Sequence, residues 1–176
     1  MSQIKPTEEN LVDLCRGLLT ISEVDNETEG QATELLDLLS NGGTLGDASG
    51  LDEKDLELLY SMAFTFYNNG KYDKALPLFE FINMMDHLST KYRMGLGATQ
   101  QSLGNYEKAV EAYGYCTILD IDDPKPQLQA GYCLMKLERY EEATLALEGA
   151  VLSSTQHPAI AVQAEALLEN IARLTS

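Results

Sequence analysis

Gly70-Lys71-Tyr72-Asp73-Lys74-Ala75 returns as Gly104-Asn105-Tyr106-Glu107-Lys108-Ala109 and again as Glu138-Arg139-Tyr140-Glu141-Glu142-Ala143. Tyr72, Tyr106 and Tyr140 stand 34 residues apart, as do Ala75, Ala109 and Ala143. A repeat of this length is one helical hairpin that cannot bury its apolar face alone, so the chain reads as a stack of hairpins. Gly70, Gly104 and Glu138 fall at the turn inside each hairpin. The first helices are expected over about 52–69, 89–103 and 125–137, and the second over 72–85, 106–119 and 140–153. Ala63, Gly97 and Gly131 share one position of the first helix, where small side chains let the two helices approach. Larger residues there should cost about 1–3 kcal/mol by overpacking.

Thirty-four residues is the tetratricopeptide period. The fold class follows as all-α: a tetratricopeptide superhelix of three helix-turn-helix repeats, about 56–89, 90–123 and 124–157, with N-terminal helices and a C-terminal capping helix. Residues 1–27 read as an extension, with one helix from Thr7 through Leu11, Val12, Leu14, Leu18 and Leu19, then an acidic linker. Residues 28–50 read as a helix from Thr28 to Ser40 stopped by Asn41-Gly42-Gly43, residues that accept the left-handed backbone of a helix end. The repeats occupy 51–154. Residues 155–176 form a capping helix opened by His157-Pro158, with Ala161, Ala164, Leu167, Leu168, Ile171 and Leu174 on its apolar face.

With 44% hydrophobic residues the chain is composed like a folded protein. Its net charge of −16, from 28 acidic and 12 basic residues, argues against nucleic acid, whose backbone is held by Lys and Arg. The acid is uneven, thirteen Asp or Glu against three Lys or Arg in residues 1–55, and reads as a solvated surface. Cys15, Cys116 and Cys133 form no CxxC pair and are odd in number, which points to a reducing compartment. No apolar run reaches the length of a membrane span, and the N-terminus lacks the pattern of a secretory leader. A soluble, cytoplasmic chain with no direct membrane insertion is expected.

In tetratricopeptide stacks the first helices line a concave groove. Read from Leu56, Thr90 and Pro124, the inward positions are Glu57, Tyr60, Phe64, Tyr67 and Asn68; then Lys91, Met94, Ala98, Gln101 and Ser102; then Lys125, Leu128, Tyr132, Met135 and Lys136. Their centre is apolar or aromatic. Two readings are open: a terminal helix or inward turning of some side chains covers this surface, or it is a groove for an extended peptide. Tyrosine suits such a groove through its apolar ring and polar tip, and methionine through its adaptable shape. A carboxylate clamp of Lys, Arg and Asn is not assembled, because Tyr60, Phe64, Met94, Ala98, Leu128 and Tyr132 occupy its positions.

No enzyme is legible. His87 and His157, 70 positions apart, have no partner at ligand or triad spacing. Cys116 and Cys133 read as buried thiols without chemistry. Asp120-Ile121-Asp122-Asp123 opens like a calcium loop, but Lys125 replaces the required glycine and Gly131 the closing glutamate. Neither a metal nor a cofactor is expected.

Gly42-Gly43-Thr44-Leu45, Leu58-Leu59-Tyr60-Ser61-Met62-Ala63-Phe64, Gly70-Lys71-Tyr72, Met85-Asp86-His87, Met94-Gly95-Leu96-Gly97-Ala98 and Leu119-Asp120-Ile121 closely resemble the class II, or translocator, chaperones of bacterial type III secretion, of the LcrH/SycD type. The resemblance covers roughly 28–151. It implies a cytoplasmic chaperone that binds two hydrophobic, pore-forming translocators and keeps them soluble, apart and secretion-competent. An extended client segment with spaced apolar residues and prolines would lie in the groove. The contacts it implies are Tyr60, Phe64, Tyr67, Tyr72, Phe81, Met85, Met94, Ala98 and Tyr113, to which the repeat positions add Leu128, Tyr132 and Met135. It further implies a homodimer, for which the Leu35, Leu36, Leu38 and Leu39 face would serve. A regulatory adaptor that binds a transcription activator is the alternative function.

Overall fold

The computed structural model describes residues 37–38, 40–49 and 52–175. The chain divides into two compact units, 1–42 and 43–176. In the first, Asn41 bonds the Asp37 carbonyl through its amide at 3.1 Å and its side chain at 2.8 Å, and Gly42 takes φ +84°. The Asn-Gly stop is thus formed. The expected helix from Thr7, the linker, and Leu35, Leu36 and Leu39 of the dimerisation face lie outside the described residues.

The second unit is a run of antiparallel helices: α1 (Leu45–Ser49), α2 (Glu53–Asn68), α3 (Tyr72–Met85), α4 (Thr90–Ser102), α5 (Tyr106–Leu119), α6 (Pro124–Lys136), α7 (Tyr140–Ser153), a 3-10 turn (Ser154–Gln156) and α8 (Pro158–Leu174). The first helix of each hairpin starts on a side-chain cap. Asp52 and Asp55 form a reciprocal capping box on α2, Ser89 accepts the Tyr92 amide at the start of α4, and Asp123 accepts the Lys125 amide before α6. Pro124 occupies the first turn of α6, where its missing N–H costs nothing.

The second helices α3, α5 and α7 have no such cap and start from a backbone turn instead. Lys71, Asn105 and Arg139 donate to the Phe66, Gln100 and Leu134 carbonyls at 2.9, 2.9 and 3.0 Å. This closure requires a left-handed residue just before, and Gly70, Gly104 and Glu138 have φ +69°, +79° and +59°. Two repeats meet the requirement with glycine; the third holds a glutamate there.

Each hairpin's core is completed by the next helix along. Ala63, Ala75, Phe79 and Ile82 are joined by Tyr92 of α4. Ala109 and Tyr113 are joined by Ala130 and Cys133 of α6. Ala143, Leu147 and Ala150 are joined by Ala164 and Ile171 of α8, which closes the stack. Buried Asn83 ties α3 to α4, donating to the Phe79 and Tyr92 carbonyls at 2.8 and 2.9 Å.

The small residues sit where large side chains press. A Cβ on Gly97 would lie 2.7 Å from Tyr113 Cε1, and one on Gly131 would lie 2.6 Å from Leu147 Cγ. In the first hairpin Phe79 leans toward the next repeat instead, so that a Cβ on Gly95 would meet its Cε1 at 2.3 Å. That is why Ala63 is accommodated beside it while its counterparts are glycines.

Candidate peptide-binding site

Tyr60 is the centre of the site on the first repeat. Its ring stacks on Phe64 at 5.9 Å, meets Phe79 edge-on at 5.9 Å and lies 5.6 Å from Tyr92. Lys91, 34 positions after Glu57, pairs with the Glu57 carboxylate at 2.5 Å and places its ammonium 4.2 Å over the Tyr60 ring. The Tyr92 hydroxyl donates to the other Glu57 oxygen at 2.8 Å. Hydrogen bonds from Lys91 and Tyr92 hold the Glu57 carboxyl below its ordinary range, while desolvation and Glu57 push the Tyr92 hydroxyl up. Lys91 and Glu57 are each nearly half exposed, so the pair contributes less than about 1 kcal/mol. Its consequence is geometric: it joins α2 to α4 along the inward positions.

Phe64 is 46% exposed, and Tyr60, Tyr67 and Tyr72 are half-buried. Tyr67 and Tyr72 face each other across the hairpin turn at 5.4 Å. Met94, Ala98 and Gln101 continue the stripe along α4, all half-buried. On α6, Tyr132 and Met135 are half-buried, and the Lys136 ammonium stands 5.4 Å from the Tyr132 ring. These residues lie along the inward positions of the first helices, with Tyr72 added from the start of α3, and are largely apolar and partly open.

Three expected contacts lie off this face, and a fourth, Leu128, lies at its floor. Tyr113 is 1% exposed and occupies the packing register of Phe79 and Leu147, 34 residues on either side, so its ring is core. Leu128 is 5% exposed and packs with Leu134 and Leu147 beneath the face. Phe81 sits about 200° around α3 from Phe79, and with Met84 it points away from the core on the second helix. Met85 packs at the edge of the first core under α1, with Ser49 Oγ 3.9 Å from its sulfur. Some side chains thus turn inward, as one of the two sequence readings allowed, while the centre of the stripe remains accessible.

At the far end of this face, Gln101 from α4, Leu128, Gln129 and Tyr132 from α6, and Gln163, Ala166 and Leu167 from α8 line a cavity of about 360 Å³. Gln129 and the α8 residues were missed in the sequence. Gln101 did stand at an inward position, but nothing in the repeat places the capping helix against it.

Cys116 and Cys133 are fully buried, and burial pushes their thiols up to about 11 and about 12. Asp123 is used as the α6 cap, Asp120 accepts the Asp122 amide, and His87 and His157 are exposed. Among the described residues no helix is long and apolar enough to cross a membrane.

The tetratricopeptide repeat family matches residues 56–87 and 90–123. The chaperone protein SicA of Salmonella dublin is 36% identical over 78 residues, 44% of this chain and 47% of that protein. The aligned stretch therefore spans about half the length of such curated relatives. Among solved structures, a type III secretion complex from Aeromonas hydrophila matches with TM-score 0.78 at 29% identity, covering 81% of this chain and 97% of that one. PcrH of Pseudomonas aeruginosa, in complex with the chaperone-binding region of PopD, matches with TM-score 0.69 at 35% identity, covering 72% of this chain and 98% of that one.

Proposed function

This chain belongs to the translocator-chaperone family of bacterial type III secretion, and from that premise we propose that it is a cytoplasmic chaperone holding two hydrophobic translocators before export. It acts by binding alone. The first-helix face takes an extended apolar segment of the client, which keeps the client soluble, apart from its partner and competent for secretion. Self-association through the Leu35, Leu36, Leu38 and Leu39 face belongs to the same proposal.

The observation that carries the reading is the aromatic and methionine stripe of Tyr60, Phe64, Tyr67, Met94 and Ala98, left partly open on two successive first helices. Folding alone gives no reason to leave Phe64 46% exposed above a stacked Tyr60. A client side chain laid there meets the exposed Phe64 ring and the half-buried Tyr60 ring, which Phe79 and Tyr92 hold in place from the core. A few such buried anchors carry most of an interface's energy.

The test is titration of a labelled peptide, the chaperone-binding region of PopD, into the chain and into Tyr60→Ala and Tyr67→Ala. Each truncation is expected to weaken binding by about 1–3 kcal/mol. Equal affinity of all three proteins would remove the stripe from the site.

A further inference from the structure

We propose that the cavity between α4, α6 and α8 holds an uncharged, extended stretch of the client's main chain, and that buried Tyr113 positions Gln101 to donate to it. The proposal rests on the groove reading and adds to it a second subsite, at the end opposite Tyr60. The cavity lining is three carboxamides, Gln101, Gln129 and Gln163, one phenol, Tyr132, and the apolar Leu128, Ala166 and Leu167. In a chain of net charge −16, no carboxylate or ammonium among the described residues lines it. A charged ligand would therefore be desolvated there without a partner.

A primary amide both donates and accepts, so a carboxamide matches the alternating N–H and C=O of an extended backbone without regard to its side chains. The apolar lining accepts one aliphatic side chain from the same stretch. Gln101 is already oriented: its Oε1 accepts the Tyr113 hydroxyl at 2.7 Å, which leaves its amide N–H groups as the free donors. Tyr113 is 1% exposed and pressed against Gly97, so this orientation is fixed by the core. Without Gln101 the Tyr113 hydroxyl would lose its partner. The tyrosine thus serves the client indirectly, as a positioning residue.

The experiment uses the same PopD peptide on the full chain and on Gln101→Ala, Tyr113→Phe and the double variant, with thermal unfolding as the folding check. Phenylalanine keeps the ring against Gly97 and removes only the hydroxyl. Each single variant should bind about five- to tenfold more weakly, the effect of one lost hydrogen bond. The double variant should bind no more weakly than Gln101→Ala, because Tyr113 acts through Gln101. Singles that bind like the unaltered chain, or a double whose loss is the product of the two, would overturn the proposal and leave the Tyr60 subsite standing. Failure of the unaltered chain to bind the peptide would overturn the groove reading with it.

Discussion

Two glycine-to-alanine substitutions on neighbouring helices should move stability in opposite directions. In a helix interior, alanine is favoured over glycine by about 1 kcal/mol. Gly114 of α5 has nothing within 4 Å of where a Cβ would stand, so Gly114→Ala should collect that gain. On Gly97 of α4 the added carbon would lie 2.7, 2.9 and 3.0 Å from three ring carbons of Tyr113. Carbon atoms prefer roughly 3.5–4.0 Å, so the ring must retreat by about 1 Å. It has nowhere to go, being 1% exposed and held at its hydroxyl by Gln101. Overpacking costs about 1–3 kcal/mol, and three simultaneous contacts on an immobile ring belong at the upper end. Offset by the helix preference, Gly97→Ala should lose about 1–2 kcal/mol, a fall in Tm of roughly 3–10 °C for a unit of this size. Thermal unfolding followed by circular dichroism reads both. If Gly97→Ala melts at or above the unaltered protein, the close approach of α4 and α5 around Tyr113 is not as described.

The hairpin turns give a second pair of outcomes. Gly104→Ala meets no steric obstacle but must adopt φ +79°, so it should cost about 1–2 kcal/mol, whereas Glu138→Gly relieves φ +59° and should gain up to about 1 kcal/mol in denaturant unfolding. In a Cys15→Ser background, Cys116 and Cys133 should not react with a disulfide reagent at neutral pH until the protein unfolds, since their thiols are pushed up to about 11 and about 12. Because the folded values lie above the ordinary thiol value of 9.0, this contribution to stability is complete below that pH. It drains away as pH rises from about 9 and is gone above 11 to 12, so a pH series of melts should fall over that range, and less steeply in Cys116→Ala/Cys133→Ala, where only buried hydroxyls such as Tyr92 still contribute.

Much of the fold is written in local signals. Asp52, Ser89 and Asp123 mark the starts of α2, α4 and α6, and the Gly70 and Gly104 turns mark their ends. The second helices α3, α5 and α7 lie at the ranges the repeat gave, because their first residue is fixed by the turn. Glu138 was legible as a turn position only through the 34-residue register, as no local preference puts a glutamate at positive φ.

The site was harder to read because position within a repeat gives direction but not depth. Tyr60 and Tyr132 occupy inward positions and are half-buried, yet Leu128 at another inward position is buried by α7 and α8, which no repeat rule describes. Tyr113 could have been recognised as core by setting it beside Phe79 and Leu147. The glutamine-lined cavity depends on α8, which stands outside the repeat, and was therefore invisible to its periodicity.

The central claim is that the Tyr60 and Tyr67 face holds the client. It is met most directly by co-expressing the chain with a hydrophobic translocator from its own secretion system and measuring the light-scattering mass of the soluble material, for the unaltered chain and for Tyr60→Glu/Tyr67→Glu. A soluble complex with the unaltered chain, lost in the double variant while that variant remains folded, is the predicted result. A complex of the same mass with both proteins would contradict it and move the client to another surface.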